Sequence, residues 1–427
     1  MPLPNLNLPA DCQHVWVAVS GGVDSIVLLH WAAQNSRALA AQDIELKAIH
    51  INHQLSAQSD AWQQHVMRVC ADWGVPLIVR RVDVMVRGQG LEHAARKARY
   101  QAFEAELAAG DVLMLGHHQD DQAETFLLRL MRGAGVQGLA AMSSVRTLGH
   151  AQLWRPFLNT PKNTLLSYAA AHALRWVTDE SNSDPRFDRN LLRRDVLPVL
   201  HQRWPHAAHK IAQAAEHALE AQQLLNEYAA ADLAQLGVRA EKFGCSLCLH
   251  QLQLLSPPRQ KQVVRYWLRG LGYLAPEAKH LDELQKVLTA KNDSVPALWV
   301  ADYGFSRFAG RLYLLPWALT AETSKSIEWQ GEALLLSDGS RLQIAGCSAP
   351  LSVRFRVGGE RARPQGRGHS QVLKKLLQEY RVPPWLRYQV PLIYRGENLI
   401  AVGDYWLEEG VSKDVVVSWC YPSMAGR

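Results

Sequence analysis

Short apolar runs alternate with helical spacings through the first part of the chain, and this alternation restricts the fold more than any other feature. Val15–Val19, Leu46–Ile51, Leu77–Val82 and Val112–Leu115 are short, β-branched and closed by polar residues or glycine, the pattern of buried strands. Ser25–Ala41 and Asp60–Trp73 lie between them with helical spacing. Strand and helix in alternation require parallel pairing through right-handed crossovers, so the expected class is α/β, a doubly wound parallel sheet. The character changes near Trp204. His209–Leu236, rich in Ala, Glu, Gln and Leu, reads as one long helix, and Leu249–Leu288 continues the helical signal around Pro257 and Pro258. Ala297–Tyr313 is strand-like, and TAETSKSIEWQ, a polar stretch after Trp317, reads as a linker. The remainder reads as a small β-rich domain with one helix, Ser370–Tyr380. The expected division is a catalytic domain over residues 1–205, a mainly helical domain over 206–318 and a small basic domain over 325–427.

No run approaches the roughly 18 apolar residues of a membrane helix, and MPLPNLNLPADCQH lacks the basic and apolar regions of a secretory signal. The expected compartment is the cytoplasm, with no membrane and no stable protein partner. Cys12, Cys70, Cys245, Cys248, Cys347 and Cys420 are too scattered for a disulfide framework. Cys245 and Cys248 have metal-ligand spacing, but a lone CxxC reads as packed thiols. A net charge of +6 and a pI near 9.0 permit a nucleic-acid partner without requiring one.

The chemistry begins at Ser20-Gly21-Gly22-Val23-Asp24-Ser25, between the strand VWVAV and the helical run SIVLLHWAA. Paired glycines let the backbone approach a ligand, and the amides of the next helix start favour an anion. Ser20 and Ser25 can donate hydroxyls to phosphate oxygens, and Asp24 can hold a divalent cation. The lysine of GxxxxGK[ST] is missing, so this is another kind of phosphate loop. Gly90–Phe103, GLEHAARKARYQAF, places Glu92, Arg96, Arg99 and Tyr100 on one helix face. In LGHHQDDQAETFLLRLMRGAGVQGL, His117, Asp120, Asp121, Glu124 and Thr125 crowd a helix start, more polar groups than capping needs. Arg155-Pro156-Phe157, Asp179–Asn182 and Arg189–Arg193 follow, and His50–Leu55 reads HINHQL. Late in the chain, Arg354–Arg387 carries nine Lys or Arg against Glu360 and Glu379, with Tyr380, Trp385 and Tyr388 among them, a composition suited to an RNA backbone.

SGGVDS resembles the loop of the PP-loop, or N-type, ATP pyrophosphatase superfamily, which implies ATP as cosubstrate cleaved between its α- and β-phosphates. The later motifs together resemble the tRNA(Ile)-lysidine synthase family continuously over roughly residues 14–205. VRFRVGGERARP, LKKLLQEYRVPPWLR and PLIYRGENLIAVG resemble its C-terminal domain. Gln54 departs from that family's HxNHGL, where glycine is usual. The resemblance implies that free lysine is ligated to C2 of the wobble cytidine in an isoleucine tRNA with a CAU anticodon, through an adenylated C2 oxygen. It implies ATP binding by Ser20–Ser25 and His50, and Mg²⁺ at Asp24 and Asp121. The implied catalytic residues are Asp24, His117, Asp120, Asp121, Glu124, Arg189 and Arg193. Contacts to tRNA are expected from Arg96, Arg99, Arg155, Arg363, Arg367, Lys374, Lys375 and Arg387. A sulfur-transferring relative would need cysteines near the loop, where the chain offers Cys12 and Cys70.

Overall fold

The computed structural model describes residues 3–6, 8–85, 90–178, 188–290, 296–319, 326–348 and 350–422. The Asp179–Asn182 motif and the Glu92 side chain lie outside the described residues. Two compact units, Met1–Leu224 and Leu225–Arg427, divide the chain.

In the first unit the elements are β1 (His14–Ala18), α1 (Val23–Gln34), α2 (Ser36–Ala40), β2 (Glu45–Asn52), α3 (Ser59–Asp72), β3 (Leu77–Arg81), α4 (Leu91–Glu106), β4 (Val112–Met114), α5 (Gln119–Met131), α6 (Val136–Leu139), β5 (Val145–Leu148), β6 (Ala151–Trp154), α7 (Lys162–Ala171) and α8 (Asp188–Leu191). A π turn, Leu192–Val196, leads into α9 (Leu197–Arg203), and α10 (Ala207–Gln235) runs on across the boundary. The sheet order is β3-β2-β1-β4-β6-β5. Its pairs are parallel except at the edge, where β5 and β6 form an antiparallel hairpin that the sequence reading did not contain. Period-two alternation explains its burial: Val15 and Val17 enter the core on one face with Ile26, Leu28 and Phe157, and Trp16 faces Phe103, Leu113 and Leu153 on the other. The single helical stretch expected over Ser25–Ala41 is two helices. They break at Asn35, whose amide turns back to the Trp31 carbonyl at 2.8 Å instead of extending the helix.

The consequence of the strand order is a crevice. From β1 the chain crosses to β2 on one side, while β4 lies on the other, so the turns after β1 and β4 diverge at neighbouring strand ends.

In the second unit a five-stranded sheet (Arg239–Ala240, Cys245–Cys248, Arg311–Leu315, Tyr303–Phe308, Ala297–Val300, in that order) packs with helices Leu249–Leu254, Pro257–Gly270 and Ala278–Thr289. The helical run breaks at Pro257 and Pro258, as expected, and the prolines open the next helix, since the first helical positions need no N–H. Cys245 and Cys248, three residues apart on a strand, project to opposite faces and cannot converge on one ion. Beyond them lies a β-rich core built on Trp329, Val353, Leu373, Leu392 and Trp419, with one helix at Leu373–Glu379. The stretch expected to be a linker contributes a strand, Ile327–Trp329, because Trp329 is buried and pairs with Leu351.

Candidate active site

Both walls of the crevice are shaped by glycine. Gly21 has φ +93°, and a Cβ there would stand 2.8 Å from Val177 Cγ2. Gly22 caps α1 in an extended conformation. The turn is tied by its serines: the Ser20 amide donates to Ser25 Oγ at 3.1 Å, and Ser25 Oγ donates to the Gly22 carbonyl at 2.9 Å. On the β4 side, a Cβ on Gly116 would meet the Asp24 carbonyl oxygen at 2.9 Å, so hydrogen at this position is what lets the two turns touch. His50, at the end of β2, is buried and joins Val19 through a 2.7 Å contact between Nδ1 and the carbonyl, which assigns the proton to Nδ1. Burial lowers its pKa.

The first turns of α5 are the unusual element. Gln119, Asp121, Gln122, Glu124 and Thr125 are all buried, on a helix whose amphipathic pattern would ordinarily bury apolar side chains. Buried polar groups persist only when satisfied or when a ligand will satisfy them. Gln122 is satisfied by Met142, through both backbone groups at 2.8 and 2.9 Å. Asp121 accepts the His118 amide at 3.0 Å as a cap and Arg193 Nη2 at 3.3 Å. Glu124, 1% exposed, is gripped by Arg193 through Nε at 2.8 Å and Nη2 at 2.9 Å. Arg189 adds an ion pair to Glu124 at 3.4 Å and donates to Thr125 Oγ1 at 2.9 Å. Burial raises the Glu124 carboxyl, Arg193 opposes that, and the guanidinium of Arg193 is raised in turn by the pair. The bidentate geometry makes the pair ionic at neutral pH. Arg193 sits in the π turn, whose wider winding is a frequent device for aiming a functional side chain.

His118, which the sequence reading passed over for His117, is the centre of charge. Its ring is 1% exposed and lies 3.4 Å from Asp121 and 3.6 Å from both Asp24 and Asp120. These are ion-pair distances rather than hydrogen bonds. Burial alone would lower its pKa, yet the three carboxylates push it up to about 10, making it an imidazolium. His117 is the opposite case. Burial pushes it down to about 3, and Arg155 Nε donates to its Nδ1 at 3.2 Å. The neutral ring therefore keeps its proton on Nε2 and is a donor. His53, on the HINHQL turn, is also neutral, lowered to about 4 by burial, Arg99 and His50.

The structure thus brings Asp24, His117, Asp120, Asp121, Glu124, Arg189 and Arg193 into one network beside Ser20–Ser25. Asp120 also accepts the Lys162 amide at 3.0 Å, which caps α7. Asp24 Oδ1 is buried without a partner among the described residues, the kind of oxygen a cation would take. Arg96 and Arg99 lie on α4. Arg155 is 3% exposed, its Nη1 donating to the Ser143 carbonyl at 2.7 Å. Within the second unit, Lys374, Lys375 and Arg363 are exposed, Arg367 pairs with Glu379 at 2.6 Å, and Arg387 donates to the Val382 carbonyl at 2.9 Å. Trp385 packs edge-on against Tyr313 and Phe308. The sulfur alternative finds little here: Cys12 and Cys70 are buried, with burial pushing both thiols up to about 11.

A PP-loop domain model matches residues 3–200, a TilS substrate binding domain model residues 247–313, and a TilS substrate C-terminal domain model residues 351–419. The tRNA(Ile)-lysidine synthase of Serratia proteamaculans is 40% identical over 421 residues, covering 95% of this chain and 94% of that protein. The chain belongs to the tRNA(Ile)-lysidine synthase family. Another member, from Pseudomonas fluorescens, is 42% identical over 409 residues, covering 94% and 91%. Among solved structures, the U34-tRNA thiolase NcsA from Methanococcus maripaludis is similar at a TM-score of 0.41 and 17% identity, over 48% of this chain and 72% of that one. Membership of the tRNA(Ile)-lysidine synthase family makes the chain an ATP-dependent ligase with a tRNA-modifying function.

Proposed function

We propose that the chain ligates free lysine to C2 of the wobble cytidine in the CAU anticodon of an isoleucine tRNA, so that the anticodon pairs with AUA instead of AUG. The C2 oxygen attacks the α-phosphorus of ATP and pyrophosphate leaves. The ε-amine of lysine then attacks C2, and the C–O bond breaks to release AMP. The observation that carries this reading is the buried polar start of α5, clamped by Arg189 and Arg193, directly beside the phosphate turn of β1.

Ser20–Ser25 and His50 bind ATP, with the α1 amides facing its phosphates. A divalent cation such as Mg²⁺ fits Asp24, whose Oδ1 has no partner among the described residues, together with Asp121. Among the described residues no cluster of three or more His, Cys, Asp or Glu could hold a metal unaided. Substrate phosphates would therefore complete its shell, and the ion would offset charge developing during transfer. His117, neutral with Nε2–H, donates to an oxygen that gains charge. Glu124 is saturated by arginine and Asp121 is engaged by Arg193 and the cation, which leaves Asp120 to hold the lysine ammonium. That ammonium must lose a proton before attack, and Asp120, with a side chain 26% exposed, offers its route to solvent. Arg96 and Arg99 on α4 and Arg363, Arg367, Lys374, Lys375 and Arg387 in the C-terminal domain contact tRNA. Arg155 acts from inside, through His117. A division into residues 1–205, 206–318 and 325–427 and a cytoplasmic location accord with this activity, and no helix among the described residues is long and apolar enough to cross a membrane.

The test is incorporation of radiolabelled lysine into acid-precipitable tRNA, with methionine tRNA and omission of ATP as controls. Label dependent on ATP and on the isoleucine tRNA is the expected result. Release of AMP without label would overturn lysine as the nucleophile.

A further inference from the structure

The first unit holds another concavity, about 570 Å³ in volume, between α4 and the segment that runs from α5 into the β5–β6 hairpin. Among the described residues, Arg96, Lys97, Arg129, Arg146 and Arg155 line it, against the single carboxylate of Glu104. Tyr100 stands in its midst, with the guanidinium carbons of Arg146 and Arg96 at 4.9 and 5.0 Å from the ring centroid. Arginine stacks well on tyrosine, but so many cations around one hollow repel each other and contribute nothing to folding that an apolar wall would not. The titration of these groups registers the excess. Burial would raise the Tyr100 phenol, yet Arg96, Arg155 and Arg146 bring it below its ordinary value. Burial and neighbouring arginines lower Arg129 and Arg155. The hollow concentrates positive charge and suits an anion with several oxygens, which forked guanidinium groups receive in pairs.

We propose that this hollow binds a phosphodiester of the RNA backbone, and that Arg155 couples its occupancy to the catalytic crevice. The proposal rests on the tRNA reading above and adds a site to it. The coupling follows from one side chain facing two ways. Arg155 lines the hollow, while its Nε donates to His117 Nδ1 at 3.2 Å and its Nη1 to the Ser143 carbonyl at 2.7 Å. A phosphate in the hollow fixes the position of this guanidinium. It thereby fixes the orientation of the His117 ring and the Nε2–H tautomer that faces the reaction. Arg155 is a positioning residue: it gives chemistry a reason to wait for RNA. Phosphates of ATP or pyrophosphate share the same chemistry, so the experiment separates the two sources.

The full-length chain is titrated with unmodified isoleucine tRNA over a range of KCl, without ATP, as wild type and as the Arg146→Ala/Lys97→Ala double variant. Each phosphate contact contributes roughly 0.7–0.9 to the slope of log affinity against log salt. The double variant should bind about 5- to 30-fold more weakly, with a slope shallower by about one contact, while its thermal midpoint and pyrophosphate affinity stay at wild type. An unchanged slope overturns the proposal, as does loss of pyrophosphate binding with the tRNA slope intact. A wild type that fails to bind tRNA removes the RNA reading itself, whereas equal binding by wild type and variant removes the hollow alone. Arg155→Lys keeps the charge and loses the Nε donor. It should leave KM for tRNA within about 3-fold and reduce kcat by about 10-fold or more. A rise in KM alone would mean that no coupling exists.

Discussion

Gln54 holds φ +54°, a left-handed conformation that costs a residue with a Cβ about 1–2 kcal/mol, where the family's motif has glycine. Asn52 stabilises the turn by accepting the Gln54 amide at 2.9 Å. Gln54→Gly should therefore raise stability by up to about 1 kcal/mol, the relief of strain being partly offset by a freer unfolded chain. Gln54→Val, β-branched at positive φ, should lower it; chemical denaturation of both reads the sign. The sequence exposes this departure but not how the backbone answers it, because a motif specifies residue types and not angles. The same gap hid His118. Two adjacent histidines precede Asp120, and which of them is enclosed by carboxylates depends on how the β4 turn rotates into α5. At the cysteines the chemistry is simpler. Burial pushes Cys12 and Cys70 up to about 11 and Cys245 up to about 12, so at pH 8 roughly one thiol in a thousand or fewer is ionised. Iodoacetamide should label the exposed Cys420 of the native chain and spare these three, as mass spectrometry of peptides would show; their thiolates, and reactivity, appear only as pH rises toward those values.

Helix α5 and the π turn act as one element. Glu124 of the first and Arg193 of the second form a pair whose carboxylate is buried and whose guanidinium is partly open to solvent. Glu124→Ala would leave Arg189 without its carboxylate and Arg193 with only its contact to Asp121, and should cost about 2–4 kcal/mol, the lower part of the range for a broken buried pair because of that exposure. Asp121→Ala removes a cap and should cost about 1 kcal/mol while reducing lysine incorporation by at least 100-fold. Together the two variants separate holding the helix from performing the reaction, by unfolding and by activity. The strands on the first three crossovers were legible because short β-branched runs between glycines have few alternatives. The β5–β6 hairpin was not, since Val145–Leu148 and Ala151–Trp154 are only four residues each and interrupted by Arg146, Thr147 and Gln152, and strands at a sheet edge are defined by their neighbours rather than by their own pattern. Ile327–Trp329 was misread for a related reason: one buried tryptophan in a polar stretch does not make a period.

Across the whole molecule, the excess of basic residues in the C-terminal domain is largely engaged within it, Arg354 with Glu397, Arg367 with Glu379 and Arg361 with Ser370. Counting charges along the sequence therefore overstates what is presented to RNA, and Lys374 and Lys375 on their short helix are among the exposed members, with Arg363. Lys374→Ala/Lys375→Ala should weaken tRNA binding and make its salt slope shallower by about one to two contacts, with ATP affinity unchanged by equilibrium dialysis. The nucleotide and carboxylate motifs were legible from sequence because each is local. Their mutual placement was legible only through strand order, which brings the ends of β1 and β4 side by side. Gly116 makes that adjacency intimate, for a single methyl group there would collide with the backbone at Asp24. The two segments are therefore heritable as a pair. A chimera taking the β1 turn from one relative and the β4–α5 segment from another succeeds only where both parents thread the same gap, and recombination between them should discard most crossovers that fall between residues 25 and 116.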